Sequence, residues 1–152
     1  MGDVISIVEE VEIDETEEEA AERRRAERKK RVLDSHAEKR ARDIIAIDKL
    51  EEEADESYSL LEVEPGKSSF ALVAVRTPTS AIYKRFQAQV ERAKDNADRR
   101  KEASDLLARS CVAYPPADGL AALEREAPGA LNAIGVRAVE LATLKTEAEK
   151  KG

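Results

Sequence analysis

Few residues in this chain are of a type that does chemistry, and they are scattered. Its 152 residues include one cysteine, Cys111, and one histidine, His36. A nucleophilic thiol needs a base nearby to draw off its proton, and no histidine lies near Cys111 in the sequence. Its neighbours Leu107 and Tyr114 place it on an apolar helical stripe, the pattern of a buried structural thiol. His36 lies between Asp34 and Glu38, but a metal site or catalytic dyad needs several convergent groups at ligand spacing. It therefore reads as a surface residue on a helix. The acidic clusters Glu15 to Glu19 and Glu51 to Glu56 lack the glycine-punctuated alternation of a calcium loop. No phosphate cradle, nucleophile elbow or paired metal ligands occur, so the expectation is a non-enzymatic protein with no cofactor and no metal.

The strongest charged motif is RRRAERKKR, from Arg23 to Arg31, with seven bases in nine residues. Arg23, Arg24, Arg25, Lys29, Lys30 and Arg31 are the candidate nucleic-acid contacts. The segment Glu9 to Glu19 just before it holds eight acids and no base. At a distance the two blocks largely cancel, and the net charge of -7 offers no general attraction to nucleic acid or anionic lipid. A solvated or protein-docking helix is the better reading of the stretch.

The elements that hold these residues follow from composition. From about Asp14 to Ser57 the chain is rich in Glu, Ala, Arg and Lys and has neither Gly nor Pro. Such a run predicts a helix of roughly 60 Å at about 1.5 Å per residue. Glu19/Arg23, Glu27/Arg31 and Glu38/Arg42 are spaced to pair along it. Val32, Leu33, Ala37, Ala41, Ile44, Ile45, Ile47 and Leu50 make an apolar stripe too irregular for a sustained coiled coil. Upstream, Val4, Ile5, Ile7, Val8, Val11 and Ile13 fit a short strand or an adhesive helical turn.

From Tyr58 the period becomes two. YSLLEVE and SSFALVAVR read as strands joined by a type II turn at Pro65-Gly66. The second strand, Phe70 to Val75, is apolar on both faces, so one face must meet the following helices or another chain. A helix capped by Thr77 or Thr79 follows, with Pro78 suited to its first position, a break near Asn96 to Arg100 and a stop at Pro115-Pro116. ADGLAALERE and ALNAIGVRAVELATLK complete the chain as helices around Pro128-Gly129. The fold class expected is α+β and predominantly helical: a long charged N-terminal helix, a β-hairpin and about three helices. The expected divisions are a charged extension over 1–57, a small α+β domain over 58–146 and a flexible tail over 147–152. No secretory leader or membrane span is evident, and a lone cysteine excludes an internal disulfide framework and fits a reducing cytoplasm.

From Phe70 onward the order of motifs resembles the tail assembly chaperones of long-tailed bacteriophages and related prophage elements. The likeness covers roughly 70–144. It is carried by an apolar strand, Pro78-Thr79, the helix start Tyr83-Lys84-Arg85-Phe86, the sequence Cys111-Val112-x-Tyr114-Pro115, a Leu-rich helix, Pro128-Gly129 and a closing amphipathic helix. The resemblance implies a non-catalytic protein of the host bacterial cytoplasm. It would coat the tape measure protein, help the tail tube protein polymerise around it and leave before the tail is complete. Two features depart from the pattern, the extension from Asp14 to Ser57 and Ile82 in place of an acid completing a capping box after Thr79. The extension leaves open a structural component of a phage or prophage-derived particle, with the helix as a brace. Lys150-Lys151-Gly152 is compatible with an A-rich slippery codon run, and family members often have a frameshift-extended form. Val73, Val75, Tyr83 and Phe86 are the candidate client-binding or self-association residues, with an edge of the Phe70–Val75 strand open to a partner segment; the alternative is that all four are ordinary core.

Overall fold

The computed structural model of the chain describes residues 15–64 and 70–151. The Val4 to Ile13 cluster and the Pro65-Gly66 turn lie outside the described residues. Helix α1, Glu17–Ala54, is 38 residues long. Thr16 caps it, its hydroxyl accepting the Glu19 N–H at 3.2 Å, and Glu17, Glu18 and Glu19 place negative charge where the helix dipole favours it. Asp55, in the left-handed region at φ 52°, ends it. Arg23 pairs with Glu15 at 3.3 Å instead of the expected Glu19.

Strands β1 (Ser59–Val63) and β2 (Ala71–Val75) pair antiparallel, in register from Ser59 opposite Val75 to Val63 opposite Ala71. Helix α2 (Ser80–Ala93) is capped by Thr79, which accepts the Ile82 N–H at 3.2 Å. Pro78 therefore precedes the cap and does not occupy the first helical position. Helix α3 (Ala97–Cys111) begins after a break at Lys94, with Asn96 accepting the Arg99 N–H at 3.1 Å. The break spans Lys94 to Asn96, at the near end of the Asn96 to Arg100 stretch expected to hold it, and 97–100 are helical.

CVAYPP does more than stop a helix. Cys111 ends α3, and Val112–Tyr114 form a third strand, β3, which the sequence reading placed in the helix end. Proline disfavours the α conformation in the residue before it, and Val and Tyr favour extended backbone. The residues freed from the helix pair antiparallel with the second edge of β2, Val112 opposite Val75 and Tyr114 opposite Ala74. The sheet order is β1-β2-β3. Strand β2 thus has partners on both sides, which corrects the expectation of an open edge on it. Helix α4 (Ala117–Glu126) and helix α5 (Ala130–Lys151) follow. Helix α5 carries its buried stripe as far as Ala142 and continues as exposed helix to Lys151, through most of the segment expected as a tail.

Both faces of the sheet are covered, which accounts for the doubly apolar β2. Val63, Ala71, Val73 and Val75 face a core built with Leu107 and Cys111 of α3, Leu120 and Leu123 of α4, and Leu131, Ile134 and Ala138 of α5. Helices α3 and α5 lie so close that a Cβ at Gly135 would come 2.8 Å from Ser104 Oγ and 3.3 Å from the Ser104 carbonyl oxygen. On the opposite face Leu72 and Ala74 meet Ile47 of α1, flanked by Tyr58, Ala113 and Tyr114. The observed class is α+β and mostly helical, with a three-stranded antiparallel sheet between α1 and the remaining helices.

Candidate functional site

The groups with reactive potential are placed by the packing just described. Cys111 is fully buried at the end of α3, and burial pushes its thiol up to about 11 against an opposing pull from Arg76. A thiol held protonated above neutrality is a poor nucleophile. His36 is half-buried, not a free surface residue: its ring stacks on Phe70 at 5.1 Å. Arg40 also lies over the Phe70 ring, 5.1 Å from its centre, and pairs with Glu62 at 2.7 Å. Among the described residues no group of three or more His, Cys, Asp or Glu is arranged to hold a metal ion.

The least expected group is Asp43, the one buried charged residue among those described. Burying a carboxylate is costly unless its oxygens are satisfied. Here Oδ1 accepts the Tyr114 hydroxyl at 2.7 Å, while Oδ2 accepts Lys39 Nζ at 3.1 Å and, more weakly, the Leu72 N–H at 3.4 Å. These donors come from β3, from α1 itself and from β2, so one carboxylate fixes where α1 sits on the sheet. Tyr114 responds in turn: burial first, then its bond to Asp43 and the charge of that group, push its phenol up to about 12. Every buried side-chain nitrogen and oxygen described here has a partner.

Of the residues expected to bind a partner, Val73 and Val75 are fully buried inside the chain. Tyr83 and Phe86 are half-buried on α2, their rings stacked with centres 6.0 Å apart. The structure therefore splits the set, two in the core and two reaching the surface. Phe86 borders a groove between α2 and α3 that runs past Ile82, Gln89, Ala103 and Leu106. Its two depressions measure about 130 and about 200 Å³. Leu106 stands 52% exposed on the rim, with Arg85, Arg92 and Arg99 around it. Leu106 is the neighbour of the buried Leu107 in the sequence, and nothing local marks it as exposed.

Arg23, Arg24, Arg25, Lys29, Lys30 and Arg31 all lie exposed in the first half of α1. At 100° per residue they are spread around the helix with Glu22 and Glu27 among them, and they do not gather into one basic face. Comparison with protein-family models, with curated proteins and with solved structures found no match. No described helix is long and apolar enough to cross a membrane.

Proposed function

We propose that this chain is a non-enzymatic holding protein of the phage tail assembly chaperone kind. It binds a tape measure protein in the cytoplasm of an infected bacterium and keeps it soluble while the tail tube protein polymerises around it. The observation that supports this best is the α2–α3 groove lined by Phe86, with Leu106 on its rim; Tyr83, stacked on Phe86, borders the neighbouring depression against α5. An apolar groove of this form suits the apolar face of a client helix, and the arginines around it suit a client carrying acidic flanks. The resemblance over residues 70–144 supplies the class of client.

The test is co-purification of the full chain with a tape measure fragment, for the parent and for a Tyr83→Ala, Phe86→Ala variant. Lost binding with an unchanged melting profile supports the reading. Equal loss of binding and stability would make both residues core. Turnover that disappears on removal of a bound metal or on Cys111→Ala would end the non-enzymatic reading altogether. A second reading, a particle component braced by α1, is favoured by the exposed first half of that helix. Recovery of the protein in mature particles would select it over a departing chaperone.

A further inference from the structure

The α2–α3 groove has a chemical counterpart elsewhere in the same chain. Its floor is apolar, with Phe86 half-buried in it and Leu106 standing out on the rim. Arg85 and Arg92 edge it on α2 and Arg99 edges it on α3. All three are exposed, and none has an acidic partner among the described residues. Glu102 is the one acid among the residues that line it. Next round α3 come Asp98 and Arg109, and Arg109 is already paired with Glu124 at 2.9 Å. The rim is therefore positive along both margins, over roughly 15 Å of helix between 82 and 92.

Residues 1–14, outside the described part of the structure, carry the reverse. Their charged side chains are Asp3, Glu9, Glu10, Glu12 and Asp14, with no base among them. Val4, Ile7, Val8 and Val11 are spaced i, i+3, i+4 and i+7, the single stripe of a helix. At 100° per residue Glu12 falls on one side of that stripe and Asp3 and Asp14 on the other, with Glu9 and Glu10 further round and Ile5 and Ile13 off the stripe. Read with period two, both faces take in a glutamate. An apolar stripe with acids along both margins is complementary to an apolar groove with arginines along both margins.

Length decides which copy supplies the segment. From residue 15 to His36, which stacks on Phe70 beside the sheet, is roughly 31 Å along α1. The groove lies beyond the sheet, on the side of the apolar core, a further layer about 10 Å away. Val11 is tied within about 14 Å of residue 15, and Val8 within about 25 Å. Neither reaches the groove of its own chain. We propose that residues 4–14 of a second copy seat in the α2–α3 groove, with Val4, Ile7, Val8 and Val11 against Phe86 and Leu106 and the acids between the arginines. The first half of α1, exposed over 22–31, is the arm that carries the segment across. A reciprocal exchange closes at two copies, and a one-way seating continues as a chain. The inference uses the groove of the proposed function and does not need its client.

Sedimentation of the full chain and of mixed variants tests this. The parent is expected to rise from 16.8 kDa to twice that mass or more with concentration, and to fall back as salt screens the arginine–acid pairs. Val8→Asp with Val11→Asp spoils the segment and leaves the groove, whereas Leu106→Asp spoils the groove and leaves the segment. Each sediments as a single copy and melts like the parent, Leu106 being exposed. Mixed one to one, the two variants regain the doubled mass, a result that no contact between like surfaces gives. Excess synthetic peptide of residues 1–14 returns the parent to the single-chain mass, and Arg92→Glu with Arg99→Glu weakens association by about tenfold or more in Kd. A parent that stays single up to about 1 mM, a Val8→Asp, Val11→Asp variant that still doubles, or two variants that stay apart on mixing would each overturn the exchange. The client reading is judged separately: a tape measure fragment that fails to bind the Val8→Asp, Val11→Asp variant, whose groove is free, counts against the client alone.

Discussion

The two faces of the sheet are covered by different chemistry. Toward α3, α4 and α5 the buried contact is wide and apolar, with Arg137 of α5 donating to Ser59 Oγ at 2.7 Å on its margin, and Val73, Val75, Cys111, Ile134 and Ala138 are sealed from solvent. Toward α1 only Ile47, Leu72 and Ala74 form a buried apolar cluster, and beside it Asp43 holds three donors. Apolar burial is strong and indifferent to small shifts, whereas a buried carboxylate is worth little net stability but tolerates only one placement. The first face keeps the molecule folded. The second sets the position of a long helix that most of its own residues would leave in water.

Substitutions separate the two roles. Ile134→Ala, in the middle of the apolar core, is expected to cost about 2–5 kcal/mol, measured as a lowered urea midpoint with every probe moving together. Asp43→Ala leaves the Tyr114 hydroxyl and the Lys39 ammonium without their acceptor, at a cost of about 1–3 kcal/mol. Its mark is local: hydrogen exchange should quicken in α1 while protection in α3 and α5 is kept. If exchange rises equally in all three helices, the division between the faces is wrong.

A third and smaller effect comes with alkali. Both Cys111 and Tyr114 hold their protons more tightly in the fold, with values of about 11 against an ordinary 9.0 and about 12 against an ordinary 10.0. A raised value means that the folded state favours the neutral form. The contribution is therefore complete below the ordinary values and is lost as pH rises through the folded ones. Stability in urea should stay level as pH rises toward 9.0 and then decline, with Cys111→Ala removing the earlier part of the decline and Tyr114→Phe the later part.

Local signals account for what could be read in advance. The order of helices and of the first two strands, a cap at Thr79 and a break between α2 and α3 are recorded in residues close to one another. The β3 strand escaped because three residues are too few to show a period, and their role depends on an edge of β2 far away in the chain. Asp43 escaped for a similar reason. In a helix full of charge nothing singles it out, and its partners Leu72 and Tyr114 lie 29 and 71 positions along. The irregular stripe on α1 mixes residues that turn toward the sheet, Ile47 and Leu50, with exposed ones, Leu33 and Ile45, and sequence alone does not sort them. Of the four residues proposed to meet a partner, Val73 and Val75 could not be told from core by sequence, since a strand covered on both sides looks the same whatever covers it.

The bond between Asp43 and Tyr114 has a consequence during synthesis. The ribosome completes α1 early, yet the hydroxyl that fastens it to the sheet arrives 71 residues later. At roughly 5–20 residues per second, that is a wait of about 4–14 s. Until Leu72 is made, 29 residues after Asp43, the sheet-facing side of the nascent helix has no central strand of its own chain to close against, and its last fastening to β3 waits for Tyr114, so a neighbouring polypeptide on the same message has time to compete for it.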